Sequence, residues 1–95
     1  MEIGGNTVFH KILRREIPAE IVFEDDRVFA FRDISPVAKT HVLIVPKKDI
    51  QGCNEVREAD AELIGYLVLV AQRIAQSEGI AESGYRLVFN CEGLS

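Results

Sequence analysis

Apolar positions change period several times along this chain, and each change marks an element. Val8, Phe9, Ile12 and Leu13 recur at helical spacing behind Asn6 or Thr7, either of which can cap, so a short first helix is predicted. Lys11, Arg14 and Arg15 take its remaining face and its C-terminal end, where the helix dipole favours cations. Pro18 ends it, because the residue before a proline is pushed out of helical conformation. Two short strands follow, Glu20–Glu24 and Arg27–Arg32, and the Asp25-Asp26 pair between them supplies turn-forming side chains, which predicts a hairpin. The second strand is apolar on both faces, Val28 and Ala30 on one and Phe29 and Phe31 on the other, so both should be covered. Ser35-Pro36 breaks it. After a loop, His41–Val45 is a third strand, also without alternation; it should lie centrally, with a histidine at its start and Pro46 closing it.

Residues 47–57 read as a polar loop. Glu58 to about Glu78 predicts a long helix, with Leu63, Ile64, Leu67, Val68, Ala71, Ile74 and Ala75 on one stripe. Tyr66, Leu69 and Val70 widen that stripe beyond what one sheet face needs, which implies a partner as well as a core. Gly79 suits the position just past the helix end. Tyr85–Asn90 is a fourth strand, with Tyr85, Leu87 and Phe89 facing one way and Arg86, Val88 and Asn90 the other. Residues 91–95 read as a loop. The order helix, three strands, helix, strand describes one α+β domain over residues 1–95, built on an antiparallel meander.

Composition narrows the function classes. The 95 residues are 47% hydrophobic and 27% charged, which excludes disordered and low-complexity classes. The net charge is −4, and the only dense basic stretches are short, Lys11/Arg14/Arg15 and Lys47/Lys48. No basic face for a nucleic acid is implied. The longest apolar run, within Leu63–Ala71, falls far short of the ~20 residues a membrane span needs, and MEIGGN has no apolar signal region. The two cysteines, Cys53 and Cys91, are far apart with no CxxC spacing; they read as reduced thiols of a cytoplasmic protein, with Cys53 in a loop.

Few residues could carry chemistry. His10 lies beside apolar positions on the first helix, where a histidine is ordinarily structural. His41 opens a buried strand after a polar loop, a place where side chains meet ligands and also where a core histidine is commonly satisfied. Asp33 directly follows the second hairpin strand; a carboxylate there can accept both hydroxyl hydrogens of a ribose diol, or merely cap the turn to Ser35 or a nearby backbone N–H. Glu24, Asp25 and Asp26 read as turn surface rather than a metal cluster. No phosphate-binding glycine loop, nucleophile elbow or zinc-helix motif is present.

An ordered string of motifs adds to this. Val8–Leu13, Glu16-Ile17-Pro18-Ala19, Phe23–Asp26, Ala30-Phe31-Arg32-Asp33-Ile34-Ser35-Pro36, Thr40-His41-Val42-Leu43-Ile44-Val45-Pro46-Lys47-Lys48 and Gly84–Asn90 together resemble the histidine triad (HIT) family, in its nucleotide-binding branch. The resemblance covers residues 7–90, and its D-I-S-P…T-H-x-L-x-x-P-K-K run is specific. It implies a HIT-like fold and a homodimer, joined through the long helix and the sheet. The implied ligand is a purine nucleotide of the AMP type. The implied reaction is hydrolysis of nucleoside 5′-phosphoramidates or related AMP conjugates at the α-phosphorus, without a cofactor. The resemblance assigns Asp33 to the ribose hydroxyls, and Phe9, Ile12, Phe31 and Ile34 to the walls around base and sugar. His41 becomes the residue that orients the catalytic histidines, and Asn90 lies toward the phosphate.

The family's nucleophile belongs to an H-x-H-x-H run on a strand beyond this loop, after a phosphate-contacting segment. Neither is in the 95 residues, so the expectation is a scaffold and nucleoside pocket with the last catalytic strand missing. Covalent nucleotidyl transfer needs an imidazole in line with the α-phosphorus and donors for its oxygens. His41 occupies the supporting position and cannot replace it. The residues expected are therefore those of a hydrolase short of its nucleophile, or alternatively of a non-catalytic nucleotide-binding or dimeric interaction module. Ending at Ser95 should also leave a sheet edge unpaired, with poor solubility or edge association. Some bacterial relatives hold zinc through positions that correspond here to Thr7, His10 and Asp49, which do not make a closed tetrahedral site; no structural zinc is expected.

Overall fold

Asp25 makes the hairpin turn. Its carboxylate Oδ1 accepts from the backbone N–H groups of Arg27 and Val28, both at 2.8 Å, while its own N–H donates to the Val28 carbonyl at 2.9 Å. An aspartate that bonds its own backbone two residues on is what fixes so short a connection. In the computed structural model, which describes residues 1–4, 10–11, 16, 19–33 and 41–89, this turn joins strands β2 (Ala19–Glu24) and β3 (Val28–Asp33). They pair antiparallel from Ala19 opposite Asp33 to Glu24 opposite Phe29, with an irregularity between Ile21 and Phe23. β4 (Val42–Pro46) pairs antiparallel with β3, Val28 opposite Pro46 and Arg32 opposite Val42. The predicted meander is therefore present, within a residue or two at each boundary. Of the predicted first helix, His10, Lys11 and Glu16 are among the described residues; all are exposed, the first two are helical, and Glu16 is a bend whose N–H donates to the Lys11 carbonyl at 2.9 Å.

β3 is covered on both faces, as its lack of alternation required. Val28 and Ala30 are buried with Val42 and Ile44 against the long helix, while Phe29, Phe31 and Val45 are buried on the opposite face. The Phe29 and Phe31 ring centroids there are 5.8 Å apart.

The sheet does not end at β4. Its order is β2-β3-β4-β1-β5, where β1 (Glu2–Ile3) lies between β4 and β5 (Val88–Phe89) and runs parallel to both. β1 was not predicted. Two residues carry no readable period, and the following Gly4-Gly5-Asn6 reads as loop. β5 is likewise shorter than the predicted Tyr85–Asn90: Leu87 and Phe89 pack on the core, but Tyr85 is exposed and outside the ladder. Only the stretch facing β1 gains a partner strand. The backbone bonds between Val88 N–H and the Met1 carbonyl (2.9 Å), and between the Met1 amino group and the Arg86 carbonyl (2.7 Å), tie the two segments.

The helix, α1 (Ala61–Ser77), is led by a single 3₁₀ turn, Glu58–Asp60. Asp60 is only 2% exposed, yet it is fully engaged: Oδ2 accepts from Arg57 N–H at 2.9 Å and Oδ1 from the Lys48 ammonium. This ties the start of α1 to the segment after β4. The buried stripe is Leu67, Val70, Ala71, Ile74 and Ala75, a spacing of three and four residues. Val70 is thus core, and Val68, placed in the stripe by sequence, is exposed together with Leu69. Position 68 lies about 120° of rotation from Ile74, whereas position 70 lies about 40° from it. Gly79 ends the helix at φ 77°, donating to the Gln76 carbonyl at 3.2 Å while Ile80 N–H reaches the Ala75 carbonyl at 3.0 Å. This is a Schellman motif. At the same end Arg32 of β3 pairs with Glu78. The segment predicted as a loop after β4 contains a one-turn 3₁₀ helix, Cys53–Glu55, in which Cys53 is exposed and free; Ile50 is buried.

Candidate nucleotide site

His41 directly precedes β4 and shares the parity of Leu43 and Val45, the residues of the face opposite α1. Phe31, 2% exposed and buried beside the half-buried Leu43, belongs to the same face. The antiparallel register of β3 and β4 runs as far as Arg32 opposite Val42, so Asp33 and His41, the next residue outward on each strand, lie at the same end of the sheet. Two residues eight positions apart in sequence are thereby brought to one end of the sheet by strand pairing. Sequence-based expectation placed each at a strand end; the register is what unites them.

A further residue joins them that sequence reasoning missed. Glu2 pairs in register with Leu43, and because Ile3 faces the α1 side of the sheet, Glu2 faces the other. Its Oε2 stands 3.3 Å from His41 Nε2, both side chains being partly exposed. Nothing in the first four residues signals this, since the contact depends on a parallel pairing of distant segments.

Four expected site residues, Phe9, Ile12, Ile34 and Asn90, lie outside the described residues, as do Thr7 and Cys91. The backbone of Phe89, the last described residue, registers with Ile3 and so with Ile44, farther along β4 from His41.

The other end of β4 carries a different set of polar groups. Tyr66 of α1 donates to Asp25 Oδ2, and the Arg27 guanidinium lies 3.9 Å from the centre of the Tyr66 ring. Burial pushes the Asp25 carboxyl up, but its bonds from Tyr66, Arg27 and Val28 outweigh that and leave it below the ordinary range. The hydrogen bond to Asp25 in turn raises the Tyr66 hydroxyl above its usual value. The Lys48 hydrogen bond, then the Arg57 N–H, hold the Asp60 carboxyl low. Two shallow depressions flank this cluster, about 360 Å³ between Arg27, Lys48, Asp60 and Leu63, and about 490 Å³ between Lys48, Asp49, Gln51 and Arg57. Each carboxylate in the cluster is satisfied by the protein itself, so the cluster pins the hairpin and the post-β4 segment to α1. It is not the end of the sheet that holds Asp33 and His41.

Comparison with known proteins agrees with this architecture. The HIT domain model matches residues 14–93. A purine nucleoside phosphoramidase of Escherichia coli (strain K12) is 54% identical over 88 residues, 93% of this chain and 74% of that protein. A HIT family hydrolase from Legionella pneumophila Philadelphia 1 superposes with a TM-score of 0.79 at 52% identity, covering 90% of this chain and 76% of its own. A HIT family hydrolase from Clostridium thermocellum gives a TM-score of 0.81 at 44% identity, covering 95% and 81%. The family model covers most of the chain and the solved relatives share its fold, so the chain belongs to the HIT family.

Proposed function

We propose that this chain forms the nucleoside-binding part of a purine nucleotide hydrolase acting on nucleoside 5′-phosphoramidates or related AMP conjugates. The observation that carries this reading is the 54% identity to a purine nucleoside phosphoramidase across 93% of the chain. The register that brings Asp33 and His41 to the same end of the sheet is compatible with it. In this reading Asp33 accepts the two ribose hydroxyls, and Phe9, Ile12, Phe31 and Ile34 provide an apolar slot for the flat base. Asn90 stands toward the phosphate. His41 orients the histidines of the H-x-H-x-H run, one of which attacks the α-phosphorus; the P–N bond breaks, the amine leaves with a proton, and water then hydrolyses the nucleotidyl-histidine.

The exposed Val68 and Leu69 of α1, 46% and 51% accessible, support a homodimer through the helix. Val88 on β5 extends the apolar surface at the sheet. No described helix is long and apolar enough to cross a membrane. With a net charge of −4 and no basic face, the proposed partners are a small nucleotide and a second copy in the cytoplasm, with neither nucleic acid nor membrane.

Titration calorimetry with AMP tests the pocket. Hydrogen bonds to a charged acceptor contribute about 1.5–3 kcal/mol each, so Asp33→Ala should weaken AMP binding by at least roughly tenfold. An unchanged affinity removes Asp33 from the ribose, and a wild-type chain that ignores AMP sinks the reading. Turnover is followed by ³¹P NMR of adenosine 5′-phosphoramidate with a chain that carries the H-x-H-x-H strand; failure to release AMP counts against hydrolysis.

A further inference from the structure

β3 loses support just where Asp33 stands. Arg32 is the last residue paired on both sides, with Glu20 of β2 and Val42 of β4. One step further, Asp33 is registered with Ala19 of β2 but not with β4. Arg32 shares the parity of Val28 and Ala30, so its side chain leaves the sheet toward α1. There its guanidinium donates to the carboxylate of Glu78, the residue directly after α1 and 46 positions away in sequence. Glu78 is itself well held: its N–H donates to the Ile74 carbonyl at 2.8 Å, and Gly79 turns the chain behind it at φ 77°. The Arg32 Nε is buried and has no hydrogen-bond partner among the described residues. The guanidinium is thus balanced by Glu78, at a helix C-terminus that itself favours a cation.

We propose that Arg32 and Glu78 are positioning residues, a brace that ties the last doubly paired residue of β3 to the end of α1 and so sets the backbone of Asp33. With the Arg32 backbone bonded on both sides and its side chain anchored, the planar peptide that follows leaves in one direction. Asp33 is then presented to the ribose without having to be ordered by the nucleotide, and that lowers the entropic cost of binding. Neither member of the pair touches the nucleotide. The proposal rests on the reading of Asp33 as the residue that binds the ribose hydroxyls.

The test compares wild type, Glu78→Gln and the exchanged pair Arg32→Glu/Glu78→Arg. Titration calorimetry uses AMP and 2′,3′-dideoxy-AMP, which lacks both ribose hydroxyls, and NMR follows hydrogen exchange of the Asp33 amide. Glu78→Gln should weaken AMP binding about threefold and speed Asp33 exchange about threefold, the size expected of a partly exposed pair. Affinity for dideoxy-AMP should not change, because that nucleotide makes no bond to Asp33. The exchanged pair should restore AMP affinity and Asp33 protection together, and restoring neither overturns the brace. Equal losses for the two nucleotides overturn it as well, since a general loss of stability would lower both alike. So does an Asp33 amide that exchanges at the wild-type rate in Glu78→Gln. A wild type that binds the two nucleotides equally removes the ribose reading, and the Asp33 amide alone then decides whether the pair holds the end of β3.

Discussion

Replacing Leu67 with alanine should destabilise the fold severely while sparing the site. Leu67 is fully buried at the middle of α1, in the cluster formed by Ile3, Val28, Ala30, Val42 and Ile44. Truncation removes three carbon groups, each contributing about 0.8 kcal/mol of transfer free energy, or roughly 2.4 kcal/mol. The sheet beneath is hydrogen-bonded and cannot collapse onto the helix, so the residual cavity raises the loss to about 3–4 kcal/mol. In a domain of this size each kcal/mol lowers the melting temperature by about 5 °C, which gives a fall of roughly 15–20 °C. Circular dichroism melts measure this directly. Asp33, His41 and Phe31 belong to the far end or the far face of the sheet, so AMP affinity measured well below the transition should stay within about twofold of wild type. Phe31→Leu should do the reverse, with a smaller loss of stability and a clear loss of affinity. A Leu67→Ala stability loss under about 1 kcal/mol would refute the assigned core. Weakened AMP binding by the still-folded variant would refute the separation of the two faces.

Acid should act through the polar cluster at the other end of β4. Asp25 and Asp60 titrate below the ordinary value of 3.8 in the folded chain, so their stabilising bonds are fully present above that pH. They are lost as pH falls through the lower folded values. Melting temperature should therefore drop below about pH 4, and Asp60→Asn should be less stable at neutral pH with a shallower acid slope; an identical slope in melts from pH 6 to 2.5 contradicts the assignment. Gly79 holds φ 77° with open space where a Cβ would stand, so Gly79→Ala should cost about 1–2 kcal/mol from backbone strain alone. Gly79→Asn should recover part of it, as urea midpoints will report.

The hairpin, the central strand and the long helix were legible because local chemistry writes them. Asp25 bonds its own turn, Pro46 closes β4, and Gly79 stops α1. What escaped is non-local. β1 exists only because two residues find β4 and β5, and β5 is a strand only where β1 meets it. The exchange of Val68 for Val70 in the helix stripe has a similar origin: both are valines on a broad apolar surface, and only contact with Val28 and Ile44 selects one.

The site sits between these cases. Taken alone, Asp33 and His41 each had an ordinary structural explanation, and only the family resemblance joined them in one expected site. The joining agent is the β3/β4 register, and that register is itself fixed by packing. β3 is apolar on both faces, so a slip of one residue would not expose a polar side as it does in an alternating strand. It would instead drive Phe29 and Phe31 into the α1 side, where Ala30 now allows close approach to the helix, and leave small side chains on the other face. Size, not polarity, holds the register, and the register brings a carboxylate-bearing position and a histidine to the same end of the sheet, at the rim of the phenylalanine layer.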